Sequence, residues 1–285
     1  STSSTTSNNN NNNSSTNSIP SSKTINVKLA SGQVLNMSLE DYVVGVVGAE
    51  MPAEFQTEAL KAQSVASRTY ALKKTASGAT ISASISDQVF NTVDQLKQKW
   101  GSSFNKYYTK IQNAVKETKG QCLTYNGSYI EALFFSTSNG RTEDSVNVWG
   151  NSFPYLKSVE SPWDTKVSGF SQSKSIPMNT ISSKLGVNLT SVSEISINSK
   201  TVGDRVANVT FCGKSFTGVQ VRTLLGLRSA DFEVSQNGNN IVFTTKGYGH
   251  GVGMSQYGAN EMAKSGYSYS QILKHYYTGV SLTTI

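Results

Sequence analysis

The sequence predicts an α+β fold, in which a helical core carrying the motifs is interrupted by a β-rich second lobe, with a groove between the two. Residues 23–74 change from alternating apolar positions to helical periodicity. Residues 157–245 alternate as strands do, and a glycine-rich segment followed by helical patterns occupies 246–285. We therefore expect a core formed by about 23–156 and 246–285, with the lobe formed by about 157–245.

Composition limits the classes of partner. The chain has 285 residues, of which 36% are hydrophobic and 15% are charged, and its net charge is +7. A basic chain suits an anionic partner such as nucleic acid, a membrane or a cell-wall polymer. Nucleic acid is excluded because the basic residues are scattered, without a basic helix or zinc finger. Two cysteines, Cys122 and Cys212, are too few for a disulfide framework and form either one disulfide or two inert thiols.

Residues 1–22 are almost entirely Ser, Thr and Asn, which cannot form a packed core. We predict a disordered tether there. The sequence begins at Ser1, and we expect that a signal peptide or membrane anchor precedes it in the natural protein. No stretch of the sequence is long and apolar enough to span a bilayer.

The first ordered elements place an acid at a break in structure. Two strands are predicted around the turn Ser31-Gly32, and Ser38 is a suitable N-cap for a helix over 39–49. Pro52 is favoured in the first turn of a second helix, which we expect to reach about Lys74. Glu50 therefore lies at the joint between two helices. The pattern alone favours a carboxylate that caps or solvates this joint, and the alternative is a proton donor whose pKa the apolar neighbours would raise.

Two polar segments supply candidate binding residues. A predicted strand, 130–135, runs into the hydroxyl-rich turn Ser136, Thr137 and Ser138, which either binds sugar hydroxyls or bonds to itself. The glycine-rich segment KGYGHGVGMSQYGA contains His250, Gln256 and Tyr257 and lacks the spacing of a phosphate loop. For His250, the pattern favours a structural role and a role in the cleft equally, whereas His275 is interpreted as a packing residue.

Three long blocks of the sequence together resemble the stage II sporulation protein D family, which includes lytic transglycosylases and amidase enhancers. The blocks are EMPAEFQTEALKAQSVASRTYAL, LTYNGSYIEALFFSTSNGRTEDSVNVWG and GYGHGVGMSQYGANEMAKSGYSYSQILKHYYTGV. The resemblance covers most of the chain after the tether and is weakest over about 157–217. It departs from the family at Phe135, where many members carry His.

The resemblance implies cleavage of peptidoglycan glycan strands with formation of 1,6-anhydro-muramic acid ends, with Glu50 as the single general acid and base. It implies sporulation as the setting, with an extracytoplasmic location around the forespore and anchoring in the membrane. Implied partners are the glycan strands, a peptide-stripping amidase and a membrane scaffold protein.

The resemblance also places Lys61 and Arg68 in the family's polar pattern. Arg68 lies eighteen positions after Glu50, about five turns along a straight helix. It therefore either binds a distant glycan subsite or forms an internal salt bridge, and Lys61 is either a strut or a solvated residue. Glu54 and Glu58 are assigned no chemistry, because acids in the first turns of a helix are explained by its dipole.

Two alternatives remain open. In the first, the protein binds the wall without cleaving it and activates an N-acetylmuramoyl-L-alanine amidase. In the second, it is an ordinary hydrolase, which needs a second carboxylate, from Glu143 or Asp144. The predicted binding set comprises Arg68, Lys61, Ser136, Thr137, Ser138, Glu143, His250, Gln256 and Tyr257, with Trp149, Tyr155 and Trp163 as candidates for stacking on sugars.

No metal or other cofactor is expected. Many members of the family carry a His-Cys pair, able to hold zinc, before a Gln-Val-Tyr stretch. Ser86 and Asp87 occupy those positions here, ahead of Gln88-Val89-Phe90. A serine hydroxyl is a weak zinc ligand and one aspartate cannot form a site alone.

Overall fold

The computed structural model describes residues 17–285 and confirms the α+β class. The first part of the chain contains strands and helices that build the larger hydrophobic core. They are β1 (Thr24–Lys28), β2 (Val34–Ser38), α1 (Leu39–Glu50), α2 (Thr57–Lys74), β3 (Ile81–Ser82), α3 (Val93–Trp100), α4 (Phe104–Glu117), β4 (Gln121–Tyr125), β5 (Ser128–Tyr129), β6 (Phe134–Phe135) and α5 (Val146–Trp149).

The β-rich part follows the 3₁₀ turn Pro162–Lys166. It contains β7 (Ser171–Pro177), α6 (Met178–Leu185), β8 (Ile195–Lys200), β9 (Val206–Phe211), β10 (Lys214–Thr217), α7 (Gly218–Leu225), β11 (Phe232–Asn237) and β12 (Asn240–Lys246). The chain then returns to the larger core with β13 (Met254–Ser255), α8 (Gln256–Lys264), α9 (Tyr269–Tyr276) and β14 (Ser281–Thr284).

Helix α2 is the centre of the larger core. It packs against α1, α4, α8, α9 and β4, and small residues such as Ala59, Ala62 and Ala66 are fully buried on it. A surface helix has one apolar face and one polar face. Helix α2 instead buries residues around most of its circumference, because neighbouring elements cover it on nearly all sides. The core is completed by the sheet β2-β1-β3 and by the sheet β14-β4-β5.

A second hydrophobic cluster lies in the β-rich part, between the sheets β10-β9-β8 and β11-β12-β7 and the helices α6 and α7. Strands β7 and β12 are antiparallel neighbours, with Ser171 opposite Lys246. The buried residues of this cluster lie between Ile176 and Phe243, and those of the larger core lie outside that interval. The alternation of apolar residues in the sequence therefore corresponds to a packed group of its own.

The glycine-rich segment joins the two parts at the edge of the site. Thr137 and Tyr248 form an antiparallel bridge, with Thr137 N donating to Tyr248 O at 3.0 Å and Tyr248 N to Thr137 O at 2.7 Å. At Gly247, where φ is +77°, a Cβ atom would lie 2.7 Å from the carbonyl oxygen of Thr137. A side chain there would push the two strands apart, so glycine is required.

Several boundaries predicted from the sequence are wrong. Helix α2 starts at Thr57 and not at Pro52. Met51 is extended, and the residues that follow it up to position 56 form turns. The strand predicted over 130–135 is limited to Phe134–Phe135. Residues 1–16 of the predicted tether lie outside the described residues, whereas Ile19 is 2% exposed and its amide donates to Asp41 at 2.9 Å. Ile19 therefore belongs to the packed structure, although the sequence predicts that the tether extends to about residue 22.

Two further findings bear on the predictions. Cys122 and Cys212 are both free thiols, which decides between the two alternatives that the sequence left open. Over residues 17–285, no helix has the length and apolar character needed to cross a bilayer.

Candidate active site

Glu50 faces a cleft of about 680 Å³. The cleft is lined by segments from both parts of the chain. They are the end of α1, the loop around residues 85–89, strand β6 with Ser136, Trp149 at the end of α5, Arg222 on α7, and Tyr248, Gly249, His250 and Gln256. The cleft thus contains the acid that the sequence singled out, and it reaches Arg222 of the β-rich part.

Glu50 is the last residue of α1, and the chain turns away at Met51, whose backbone is extended. Val46, Val47 and Met51 are buried around this end of the helix, while Glu50 itself is half-buried. Burial raises the pKa of the Glu50 carboxyl. A hydrogen bond of 2.8 Å from Val89 N to Oε1 and the positive charge of Lys99 oppose this increase without cancelling it.

The loop that supplies the Val89 amide is held by Asp87. Asp87 Oδ1 accepts a hydrogen bond of 3.1 Å from the Tyr70 hydroxyl and lies 3.1 Å from Lys74 Nζ, and Oδ2 accepts one of 2.8 Å from Ser82 N. Both carboxylate oxygens are therefore occupied. Asp87 also lines the cleft, so it is a second carboxylate there, which no pattern in the sequence assigned to the site.

His250 is fixed in the cleft in its neutral form. Its Nδ1 accepts a hydrogen bond of 3.1 Å from Val252 N, and the rings of Phe135 and Trp149 lie 5.6 and 5.1 Å away. Burial, and then the positive charge of Arg222, lower the pKa of His250 to about 4. The structural and cleft roles considered for His250 both apply, since the residue lines the cleft and is held by the backbone.

Two glutamines stabilise the base of the cleft. The Gln256 amide donates to the carbonyl oxygen of Glu50 at 3.2 Å and to Gln63 Oε1 at 3.2 Å. Gln256 thus connects α8 to the end of α1 and lines the cleft, while its predicted contact with substrate stays a prediction. Gln88 is 1% exposed and its Nε2 donates to Tyr42 and to the carbonyl of Ser67, whereas its Oε1 has no partner among the described residues.

The rim of the cleft is apolar and aromatic. Ile85 is 92% exposed, Trp149 is 50% exposed and Tyr248 is 46% exposed, and all three line the cleft. Exposed aromatic faces suit sugar rings, which present C–H groups. Tyr155 and Trp163, the other stacking candidates, pack against the larger core, and Trp163 contacts His275 edge-on at 5.1 Å.

The structure does not support a substrate contact for Arg68 or Lys61. Arg68 is fully buried and bonds Glu40 through Nε (3.0 Å) and Nη2 (2.6 Å). Lys61 is paired with Glu58 at 3.0 Å and Glu117 at 2.5 Å. Neither residue lines the cleft. The internal salt bridge and the strut are the correct alternatives.

The hydroxyl-rich turn is divided between two roles. Ser136 lines the cleft, as predicted. Thr137 is 5% exposed in its backbone bridge, and Ser138 is fully buried with its hydroxyl donating to Asp164 at 2.6 Å, so neither is available to a ligand. The prediction for Tyr257 is wrong as well, since its ring packs edge-on against Phe55 at 5.0 Å, outside the cleft lining.

Glu143 lies in a second, smaller cavity beside the cleft, with a volume of about 220 Å³. This side cavity shares Arg222, Gly249 and His250 with the cleft. Glu143 is 1% exposed, and it accepts hydrogen bonds from Thr201, from Asn147 at 2.8 Å and from Asp144 N at 2.9 Å. Asp144 accepts a bond from Ser158 N at 2.6 Å. Neither residue presents a free carboxylate to the cleft of Glu50.

The side chains around Ser86 and Asp87 do not suit zinc. These are the two positions where many members of the family carry His and Cys. Hydroxyls of Ser82, Ser84 and Ser86 bond one another at 2.8 Å, and Asp87 is engaged by Lys74 and Tyr70. In the described part of the chain, no three His, Cys, Asp or Glu side chains are grouped so as to hold a metal ion.

Arg222, Tyr248 and Asp87 are residues of the cleft that the sequence did not reveal. The available signal for Tyr248 is its place beside His250 in the glycine-rich segment. Arg222 lies on the short helix α7 of the β-rich part, and no local pattern in the sequence distinguishes it. Nothing local distinguishes Asp87, because its partners Tyr70 and Lys74 lie on α2.

Comparison with known proteins agrees with the resemblance. Residues 29–125 match a family model described as stage II sporulation protein. Stage II sporulation protein D of Bacillus amyloliquefaciens is 45% identical over 275 residues, covering 93% of this chain and 78% of the relative. That of Bacillus subtilis (strain 168) is 45% identical over 265 residues, covering 90% and 77%. The amidase enhancer of Bacillus subtilis is 35% identical over 295 residues, covering 84% of this chain and 40% of the relative. The chain belongs to the stage II sporulation protein D family.

Proposed function

We propose that this protein is a peptidoglycan lytic transglycosylase that acts in cell-wall remodelling during sporulation. The carrying observation is Glu50, a half-buried carboxyl with a raised pKa that faces a cleft with an aromatic rim. A raised pKa keeps a carboxyl protonated closer to neutral pH, as a general acid requires.

The reaction needs one titratable group and no water. The protonated Glu50 carboxyl donates its proton to the glycosidic oxygen, and the bond from that oxygen to C1 of the muramic residue breaks with its electron pair on the oxygen. The 6-hydroxyl oxygen of the same residue bonds to C1, and its proton passes to the Glu50 carboxylate, which restores the acid. The products are a 1,6-anhydro end and a free 4-hydroxyl. General acid–base help of this type contributes about a hundred- to ten-thousandfold.

The surroundings support a lytic rather than a hydrolytic reaction. A glycoside hydrolase of the usual kind uses a second carboxylate as base or nucleophile. Asp87 lines the cleft, but both of its oxygens are engaged by Tyr70, Lys74 and Ser82 N. Glu143 lies in the side cavity and is saturated with hydrogen bonds.

The test is digestion of purified peptidoglycan by wild type and Glu50→Gln, with mass spectrometry of the soluble glycan. Wild type should release 1,6-anhydro-muramic ends, and Glu50→Gln should fold and release almost none. Reducing muramic ends as the main product would show a hydrolase, and near-normal cleavage by Glu50→Gln would remove Glu50 from the mechanism.

A second candidate function is activation of an amidase by a wall-bound protein without cleavage of its own. It is favoured by the likeness to a relative named amidase enhancer. An N-acetylmuramoyl-L-alanine amidase assayed with and without this protein distinguishes the two. Stimulation by wild type and by Glu50→Gln alike, without anhydro products, would establish the activator.

We extend the proposal to the protein's setting. An extracytoplasmic location with anchoring in the membrane, and cooperation with a peptide-stripping amidase and a membrane scaffold protein, fit a wall-cleaving enzyme. The division into a core of about 23–156 and 246–285 and a lobe of about 157–245 belongs to the same proposal and is supported by the two hydrophobic clusters.

A further inference from the structure

Arg222 is a cation without a carboxylate partner at the junction of two cavities. It lies on α7, is half-buried, and lines both the cleft of Glu50 and the side cavity. Its Nε donates to the carbonyl oxygen of Arg228 at 3.3 Å. Among residues 17–285, no carboxylate lies within salt-bridge distance of its guanidinium group. Five N–H donors in a planar fork are thus largely unused by the protein.

The wall of the side cavity contains a second cation, Arg205, which is 4% exposed. Its Nη1 donates to the carbonyl oxygens of Arg141 (3.1 Å) and Gly203 (3.0 Å), while its Nε is buried without a partner in the described chain. A buried arginine with an unmet donor is costly for the free protein. Such a donor needs an ordered water molecule or a ligand as its partner.

The side cavity has two positive charges and one negative charge. The negative charge is that of Glu143, whose oxygens already accept bonds from Thr201, Asn147 and the backbone of Asp144. The other titratable residue of the wall, His250, is held by the backbone amide of Val252. The lining of the side cavity therefore carries one net positive charge. Because Arg205 also interacts with Glu143, Asp231 and Asp164, the attraction for an anion is strongest at Arg222.

The size and position of the side cavity suit a substituent and not a sugar ring. Its volume of about 220 Å³ is below the ~300–1,000 Å³ typical of pockets that enclose whole ligands. His250 and Gly249 line both cavities, so a group that enters the side cavity belongs to a molecule whose remainder lies in the cleft beside Glu50.

We propose that Arg222, together with the side cavity, forms a carboxylate subsite for an acidic substituent of the muramic residue. This inference rests on the proposed function, because it takes the glycan as the occupant of the cleft. A muramic residue carries a lactyl ether that ends in a carboxyl group, and its peptide, where present, carries further carboxylates. Arginine binds carboxylates with two parallel hydrogen bonds, which gives orientation as well as affinity.

The test is binding of small sugars, measured by NMR titration of the wild-type protein without any cleavage. The probes are N-acetylmuramic acid, its methyl ester and N-acetylglucosamine. We expect the acid to bind about ten- to a hundredfold more tightly than the ester, since a hydrogen bond to a charged group is worth more than one to a neutral group. Equal binding of the acid and the ester by wild type, together with no Arg222-dependent binding of the dipeptide probe described below, would overturn the proposal.

Three variants assign the effect to the residue. Arg222→Gln should lose the preference for the acid, and Arg222→Lys should keep part of it. Lys184→Gln, on α6 of the same lobe, is the matched control, because it removes one charge at an exposed position outside both cavities. If Arg222→Gln unfolds, Arg222→Lys takes its place in the test. An undiminished preference of Arg222→Lys for the acid over the ester would then contradict a two-bond arginine contact. A folded Arg222→Gln that retains the preference would overturn the proposal.

A further probe, N-acetylmuramoyl-L-alanyl-D-isoglutamine, separates the two sources of the carboxylate, because its lactyl group is an amide. Tighter binding of the free acid assigns the subsite to the lactyl carboxylate, and tighter Arg222-dependent binding of the dipeptide assigns it to the peptide. The outcome is independent of catalysis. If wild type forms no anhydro ends but shows the Arg222-dependent preference, the proposed reaction fails and the subsite stands.

Discussion

The backbone amide of Val89 donates a 2.8 Å hydrogen bond to the carboxylate of Glu50. This bond stabilises the charged carboxylate, while burial stabilises the protonated carboxyl, and burial has the larger effect on the pKa. The pKa of Glu50 therefore depends on two opposing contributions. Helix α1 buries the carboxyl, and the loop anchored by Asp87 supplies the amide that binds it. Both contributions can be changed by substitution.

The free energy of unfolding of Glu50→Gln, compared with that of wild type, should increase as pH rises. The folded-state pKa of Glu50 lies above its ordinary value of 4.5, so the folded protein holds this proton more tightly than the unfolded chain. Wild type therefore loses stability as pH rises from about 4.5 through the raised pKa, and the loss levels off above it. Glutamine does not titrate. Urea unfolding of both proteins across this range measures the difference, and a difference independent of pH would contradict the raised pKa.

Substitution of Asp87 should shift the pH dependence of glycan cleavage. Asp87→Ala releases the loop that holds Val89, and loss of the Val89 bond removes a stabiliser of the charged Glu50. The pKa of Glu50 then rises further, and the alkaline limb of the rate profile moves to higher pH. Asp94→Ala, on α3 with a side chain 91% exposed, is the matched control and should leave the limb in place. If the alkaline limb of folded Asp87→Ala stays at the wild-type pH, the loop does not affect the pKa of Glu50.

Arg68 should act on stability and not on substrate binding. Arg68→Leu leaves Glu40 buried without its partner, which typically costs about 3–5 kcal/mol in the free energy of unfolding. The double variant Arg68→Leu/Glu40→Leu should recover much of that loss, because the uncompensated charge is removed with its partner. A glycan-binding defect in the folded double variant would restore Arg68 to the binding set.

Removal of metal should have no effect. The loop that carries Ser86 and Asp87 offers hydroxyls and one engaged carboxylate, which do not suit zinc. We expect the melting temperature and glycan cleavage to be unchanged by EDTA. Stoichiometric zinc found by elemental analysis of protein purified without added metal would contradict this prediction.

The position of Glu50 could be predicted because its signals are local. A periodic helix, an acid at its end and a proline two residues later mark the joint within a few residues of sequence. The fold class followed from similar local patterns. The places of Ser136 and Gln256 in the cleft could also be predicted from local signals. Ser136 follows an apolar segment, and Gln256 lies in the glycine-rich segment.

The errors concern residues whose surroundings come from distant parts of the chain. Helical spacing correctly places Arg68 on a face of α2, but it does not show that Glu40 from α1 covers that face. Ser138 follows the same polar turn as Ser136, and only the 3₁₀ turn that carries Asp164 determines that it is buried. Arg222 reaches the cleft through the packing of the β-rich part, which no local pattern reports.

The β-rich part leaves and rejoins the larger core through neighbouring strands, β7 and β12, in which Ser171 is opposite Lys246. A segment whose ends are adjacent can be lengthened, shortened or exchanged without stretching the structure that holds it. Glu50 lies on one side of this junction and Arg222 on the other. The proposed acid and the proposed carboxylate-binding residue can therefore be inherited separately, so relatives that share Glu50 need not share Arg222.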